Sequence, residues 1–531
     1  GYVYIIDNVI EPLRTIYKVM EDSTNYFNIM RKLYDRFPNF QNMSTYGGGN
    51  PNYSVQYGDG ASDNFLFFHY NKAAYMLLSI ASEWTTDRDD WNLLGRITYN
   101  GFVPNDEAMN RYFREFWGST ELGESYDSWE EIDPLSIYHF LRNHFTDVNG
   151  MVFPEMLRAG LSSDWGYPYE FNVDADVNFK EMCGNGVIYG LTTVEEPPLF
   201  NSVARPAFQS PKYSLFGYML DKAALLQDVA NRERELTLFI PSNSVLQAEG
   251  YSLNRSGAAY DLNSTTVRSG TATVSTPDLQ TLVRNQLVNG LLTPADLSSQ
   301  TPVWIESDRE DSYLKVGNNR IEAEDGTQVQ LGQEEFNASG RYGTWRAYEI
   351  KGLLGKGSVQ NFHTLINNTA KGYNGLLNKY DDEIIANSSF DNGTGDLYPF
   401  RNSRGLLFVT MDTWATPGEN GIPEATPNNR YDMTEWLNKH AVGRTSDENF
   451  KILDFLTGDV VGKTLQTLDE NFAITVIDSE EVTSSYGTTR LTIQLPISEN
   501  SRMVSAYGPH FSKECMFYIL TTSNDRFVWG E

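Results

Sequence analysis

The sequence predicts an α+β fold repeated along the chain, and three observations carry that expectation. First, the run ITYNGFVPNDEAMNRYFREFW (97–117) places Ile97, Tyr99, Gly101 and Val103 on one side of a period-two stretch, stops it at Pro104, and opens a helix after Asn105. Second, ELTLFIPSNSVLQ (235–247) repeats that strand-to-helix passage, with Phe239-Ile240-Pro241-Ser242-Asn243 standing where Phe102-Val103-Pro104-Asn105-Asp106 stood. Third, RGLLFVTMDTW (404–414) offers a weaker third copy without the proline.

The composition permits such a chain. Its 531 residues suffice for about three to four domains. Hydrophobic residues at 40% and charged residues at 21% suit a protein with real cores. A formal net charge of −29 disfavours phosphate backbones and anionic lipid headgroups, so nucleic acid is not an expected partner. Two cysteines, Cys183 and Cys515, are too few for a disulfide framework or a zinc site, and two buried thiols are the expectation. No apolar run reaches the ~18 residues of a membrane span.

In chain order, GYVYIIDNVIEP (1–12) alternates like a strand and stops at Pro12. From 13 to about 36 apolar residues recur at helical spacing, interrupted at Asp22-Ser23-Thr24, which predicts two short helices. The Gly-, Asn- and Tyr-rich stretch 44–64 reads as a surface loop. Beyond the first strand-to-helix passage lie the helical run PLSIYHFLRNHF, then NVDADVNFKEM and the strand-like CGNGVIYGL (183–191). The second copy brings helical SLFGYMLDKAALLQDV, then LQTLVRNQLVNGLLTPADL (279–297) and the strand-like YGTWRAYEIKGLL (342–354). In the third, MTEWLNKHAVG (433–443), GKTLQTLDENFAITV (462–476) and KECMFYILTT (513–522) hold the corresponding places.

These runs resemble the signature boxes of the fasciclin domain: a strand-to-helix "FAPTDEAF" box, a helix ending in "LLLYHVVPG", and a closing "NGVIHVIDRVLLP" strand. The resemblance implies tandem fasciclin-like domains, each a small twisted β-sandwich or wedge with packed helices. It sets residues 1–10 as the closing strand of an upstream domain, 11–198 and 199–355 as two domains, and 356–531 as a diverged third. The family's Tyr-His position falls on Asn143-His144, Asn285-Gln286 and Lys439-His440. That motif is implicated in integrin adhesion in animal relatives, but the Tyr is missing from all three copies. The plainer expectation is that His144 and His440 are buried structural residues bonded to backbone rather than to metal, with Gln able to stand in.

Motifs for chemistry are sparse. Six histidines are scattered, HExxH and GxSxG are absent, and GLLGKGS (352–358) lacks the ending of a phosphate loop. Acidic clusters such as DRDDW (87–91) and NVDADVN (172–178) lack calcium-loop spacing and read as solvated loops. Neither a cofactor nor a metal is therefore expected. The aromatic loading is more suggestive: Tyr46, Tyr53, Tyr57, Trp165, Tyr167, Tyr169 and Trp414 sit in or beside polar loops. Such rings stack on sugar faces or anchor a protein partner, or else pack back on their own loops.

Three functions compete on these grounds. The leading expectation is a non-enzymatic surface scaffold holding a protein partner or glycan. Resemblance and composition point to a Bacteroidetes-type outer-membrane lipoprotein, anchored through a part preceding residue 1 and accompanying a SusC/SusD-type nutrient importer. The second is a glycan-binding adhesin using the loops at 44–64 and 161–171. The third is an enzyme, disfavoured because the sequence shows no catalytic constellation.

Overall fold

The computed structural model describes residues 13–37, 98–146, 150–255, 262, 264–338, 344–355, 360–384, 400, 404–411, 415–419, 421–443, 451–496 and 502–521. The expected strand at 1–10 lies outside them. The chain divides into two compact units, Gly1–Val283 with Gly332–Gly352 and Arg284–Leu331 with Leu353–Glu531. Helices and sheets are mixed in both, so the α+β class holds. Among the described residues no helix is long and apolar enough to cross a membrane.

In the first unit, Thr15 caps the helix Ile16–Glu21. Asp22 then caps a short 3-10 turn, and a second helix runs Asn28–Asp35. The two short helices expected from the sequence therefore form, and they break at the expected residues. The strand Tyr99–Pro104 follows, and Asn105 caps the helix Asp106–Glu115 by accepting the Ala108 N–H at 2.8 Å. The strand lies at the centre of a four-stranded sheet ordered 145–146, 99–104, 186–191, 177–183. It runs parallel to Gly186–Leu191, with Tyr99 opposite Gly186 and Pro104 opposite Leu191.

One expectation needs refining. Period-two alternation suggests one buried face, yet all six residues of Tyr99–Pro104 are buried, as are all six of Gly186–Leu191. A parallel pair covered on both faces reads as a continuous apolar run, so alternation carries less information there.

The same pairing recurs twice. Leu236–Pro241 runs parallel to Trp345–Ile350, also within the first unit, and Ser242 caps the helix Asn243–Ala248. In the second unit Gly405–Thr410 runs parallel to the strand Cys515–Thr521. Successive residues of these two strands enter different cores. Leu406, Phe408, Met516, Tyr518 and Leu520 join one cluster; Leu407, Val409, Cys515, Phe517 and Ile519 join the other. Beyond Cys515–Thr521 the sheet continues antiparallel through 503–511, 487–494, 473–484 and 464–466, so the 462–476 run supplies a hairpin at its edge.

Close approach at the parallel pair fixes its glycines. Gly186 has φ +153, and a Cβ there would lie 1.8 Å from the Tyr99 carbonyl oxygen. Gly186→Ala is therefore expected to destabilise the first unit by more than about 3 kcal/mol, since backbone rather than a flexible side chain must give way. Asn105→Ala, which removes only a cap, should cost about 1 kcal/mol. Denaturant unfolding of the two variants checks the order.

Candidate functional site

The 161–171 loop is the sequence-predicted aromatic loop that falls within the described residues. Ser162 and Pro168 form a bridge, the Ser163 N–H donates to the Tyr167 carbonyl at 2.8 Å, and the Gly166 N–H donates to the Ser163 carbonyl at 2.9 Å. Gly166 has φ +81, a left-handed position that glycine takes without strain. The result is a tight turn with Trp165, partly exposed, at its tip.

Polar groups brace this turn from several elements. The helix Pro134–His144 and the residues after it supply the first contacts. The Thr146 hydroxyl donates to the Asp164 carboxylate at 3.0 Å, and the Arg142 guanidinium lies 3.9 Å from it. The Tyr167 hydroxyl accepts the Arg232 N–H at 2.9 Å, and the Arg232 guanidinium covers the Tyr167 ring at 4.3 Å. Arg232 also pairs with Glu170 at 3.0 Å. That pair is partly exposed and worth at most about 1 kcal/mol, so it is not the main brace.

The main brace is Glu195. Its carboxylate accepts the Glu170 N–H at 3.0 and 3.2 Å and the Phe171 N–H at 3.0 Å. Its own carbonyl accepts the Asn143 amide at 2.9 Å. Only 6% of Glu195 is exposed, and burial pushes its carboxyl up to about 7 against the pull of the two N–H donors. Asn143 thus helps join the helix end to the aromatic loop. Behind the loop, Tyr169 packs on Phe102 with ring centres 4.6 Å apart, which ties the loop to the first parallel strand.

The paired histidines behave alike. His144 is fully buried, its Nδ1 lies 2.8 Å from the Phe140 carbonyl one turn back, and its ring packs on Phe140 at 4.3 Å. His440 repeats this with the Trp436 carbonyl at 2.7 Å and the Trp436 ring at 4.1 Å. A carbonyl partner requires Nδ1 to carry the proton. Burial lowers the pKa of His144 to about 4 and that of His440 to about 3, so both rings are neutral. Gln286, also fully buried, acts differently: its amide donates to the Leu354 carbonyl at 2.9 Å and accepts the Leu354 N–H at 3.2 Å. It clasps a separate segment, where the histidines fasten back to their own helices.

Trp165 and Tyr167 therefore share one turn, and the helix bearing His144 supports it while His144 itself faces the core. Tyr46, Tyr53, Tyr57 and Trp414 lie outside the described residues. Sequence reasoning missed Glu195, Arg232 and Asp164; the only signal was the Glu195-Glu196-Pro197-Pro198 run after the closing strand, which is polar where the chain turns inward. Cys183 and Cys515 are both free and buried, and burial pushes each thiol up to about 12, which leaves them protonated and unreactive at neutral pH. What this arrangement presents is a partly exposed tryptophan at the tip of a hydrogen-bonded turn.

No family model matches the chain, and no match was found among curated proteins. Among solved structures, the FAS1 domain pair from the insect cell adhesion molecule fasciclin I covers 60% of this chain and 96% of its own, at 13% identity and a TM-score of 0.22. A superposition that loose carries no argument about fold or function.

Two buried groups should pull stability in opposite directions with pH. Glu195 has a folded pKa raised from 4.5 to about 7, so its contribution is complete below about 4.5 and is lost as pH rises through 7. His144 has a folded pKa lowered from 6.5 to about 4, so its contribution is complete above 6.5 and is lost as pH falls through 4. Each limb has a limiting slope of about 1.4 kcal/mol per pH unit. Urea unfolding from pH 4 to 8 should show Glu195→Gln flattening the neutral limb and His144→Gln flattening the acid limb. The second variant should lose only about 1 kcal/mol at pH 7.

Proposed function

We propose that the chain is a non-enzymatic binding scaffold made of tandem fasciclin-like units, which holds a protein partner at a cell surface. One observation carries the binding reading: the turn at Trp165 is held by Asp164, Tyr167, Arg232 and Glu195, all pinned to neighbouring elements. Preorganised aromatic tips bind well because little conformational entropy is lost on contact. The titratable groups around it serve as braces, which favours binding over catalysis.

The tandem reading draws support from the recurrence of one arrangement, a buried parallel strand pair, in three places. It is further supported by His144 and His440 in matching hydrogen bonds. The finer reading is that of an outer-membrane lipoprotein beside a nutrient importer, with cell adhesion as the broader class. It rests on the sequence resemblance and on the acidic, Asn- and Tyr-rich composition.

The test is capture of partners from outer-membrane fractions by the full chain. Specific co-purification is expected, and Trp165→Ala should reduce it at least tenfold, as befits an aromatic anchor worth about 1.4 kcal/mol or more. Recovery of a lone chain, or equal capture by the variant, would count against this reading. An affinity-gel shift by a glycan that is abolished in Trp165→Ala would instead make the turn a sugar platform.

A further inference from the structure

A second surface, sharing no residue with the Trp165 turn, has the chemistry of a carbohydrate site. It is a cleft of about 380 Å³ in the first unit, bounded by Asn25, Tyr26, Asn105, Glu107, Asn178 and Phe179. That volume lies at the lower end of the ~300–1,000 Å³ range of small-ligand clefts and suits one or two sugar rings.

Tyr26 is the outlier that draws attention to the cleft. It is 67% exposed and sits at φ 59, ψ 39, a left-handed conformation that a bulky aromatic side chain seldom adopts. Its position is enforced. The Tyr26 carbonyl accepts the Asp106 N–H at 2.7 Å, while the Asp106 carboxylate accepts the Ile29 N–H at 2.8 Å and the Asn28 amide at 3.0 Å. On the other side the Asn25 side-chain amide donates to the Val19 carbonyl at 2.9 Å, so the backbone flanking Tyr26 is fixed and its ring is left largely in water beside the cleft. Tyr26 ends the 3-10 turn Ser23–Asn25 in the left-handed position that glycine or asparagine takes at least cost, so an exposed tyrosine there adds strain that the turn itself does not require.

Hydrogen-bonding capacity beside the ring is open. The Asn105 carbonyl oxygen is engaged by the Ala108 N–H, and its amide nitrogen makes no hydrogen bond among the described residues. Asn178 and Glu107 are exposed, and their side chains likewise make none. Vicinal hydroxyls donate and accept at once, which suits amide and carboxylate groups set beside an aromatic face. Glu107 and Asp106 at the rim, within a chain of net charge −29, repel an anionic ligand. We propose that this cleft binds a neutral saccharide, with Tyr26 stacking on a sugar face and Asn105, Asn178 and Glu107 bonding its hydroxyls.

Titration calorimetry of the full chain with maltotriose, cellotriose, mannotriose and N,N′-diacetylchitobiose tests the proposal, with digalacturonate as the charged control. At least one neutral probe should bind. Tyr26→Phe should keep the affinity within about threefold, whereas Tyr26→Gly should weaken it at least about tenfold. Because glycine relieves the left-handed strain, Tyr26→Gly should melt no lower than the parent, which separates lost binding from lost folding. Asn178→Ala, at an exposed position, should weaken binding independently. Trp165→Ala should leave it unchanged even if that variant fails to capture a protein partner. Failure of all four neutral probes, undiminished binding by Tyr26→Gly, or preference for digalacturonate would each overturn the assignment.

Discussion

A parallel strand pair buried on both faces is the constraint on which the rest of the structure depends. Two strands running the same way cannot be joined by a tight turn, so the chain between them must leave the sheet and return. In the first unit the chain leaves at Pro104 and returns at Gly186. The intervening residues supply the helix Pro134–His144, the aromatic loop and the antiparallel neighbour Val177–Cys183. In the second unit the excursion from Thr410 to Cys515 supplies the whole antiparallel edge of the sheet. Small residues permit this packing. A Cβ at Gly190 would lie 2.7 Å from both Phe27 and Phe179, so helix and hairpin can close on the strand only because nothing projects there.

Burial on both faces leaves few polar groups inside, and those that remain act as fasteners. Glu195 ties loop backbone to the end of the closing strand's segment, and His144 and His440 tie off helix ends. In the second unit Arg404 and Glu324 form a buried pair at 2.6 Å, exposed by only 7% and 3%. The guanidinium also donates to the Asp311 carbonyl at 2.6 Å and to the Ser512 carbonyl, while Glu324 accepts the Tyr313 N–H at 3.0 Å. A buried pair adds little net stability because desolvation offsets the attraction, but breaking one partner strands a charge. Its effect is to specify which segments meet at the start of the Gly405–Thr410 strand.

This division of labour bears on binding. The strand pairs and their fasteners face inward, and the loops lie in the excursions between them. A contact surface placed there can change without disturbing the pair beneath it. The turn at Trp165 lies within such an excursion, and the cleft at Tyr26 is formed where an excursion meets the helices that precede the first strand. Each projects an aromatic ring from backbone held by side chains of another element, Glu195 in one case and Asp106 in the other.

The sequence alone determined what depends on near neighbours. Capping is local, so Asn105 and Ser242 mark helix starts, and Asp22 marks the break between the first two helices. The edge hairpin at 464–475 is legible because its strands alternate and adjoin, and 183–191 reads as a strand from its apolar run alone. Even local reading has limits: SLFGYMLDKAALLQDV looks like one helix, but Ala224 takes φ 56 and divides it. Only the tertiary structure decided which distant strands pair, because six apolar residues in a row do not state their partner or how many faces are covered. It alone set Glu195 against the loop backbone and Asp106 against the turn at Tyr26. A carboxylate's sequence neighbours do not reveal which N–H groups it will meet, since that depends on how an excursion of some eighty residues folds back on its strand.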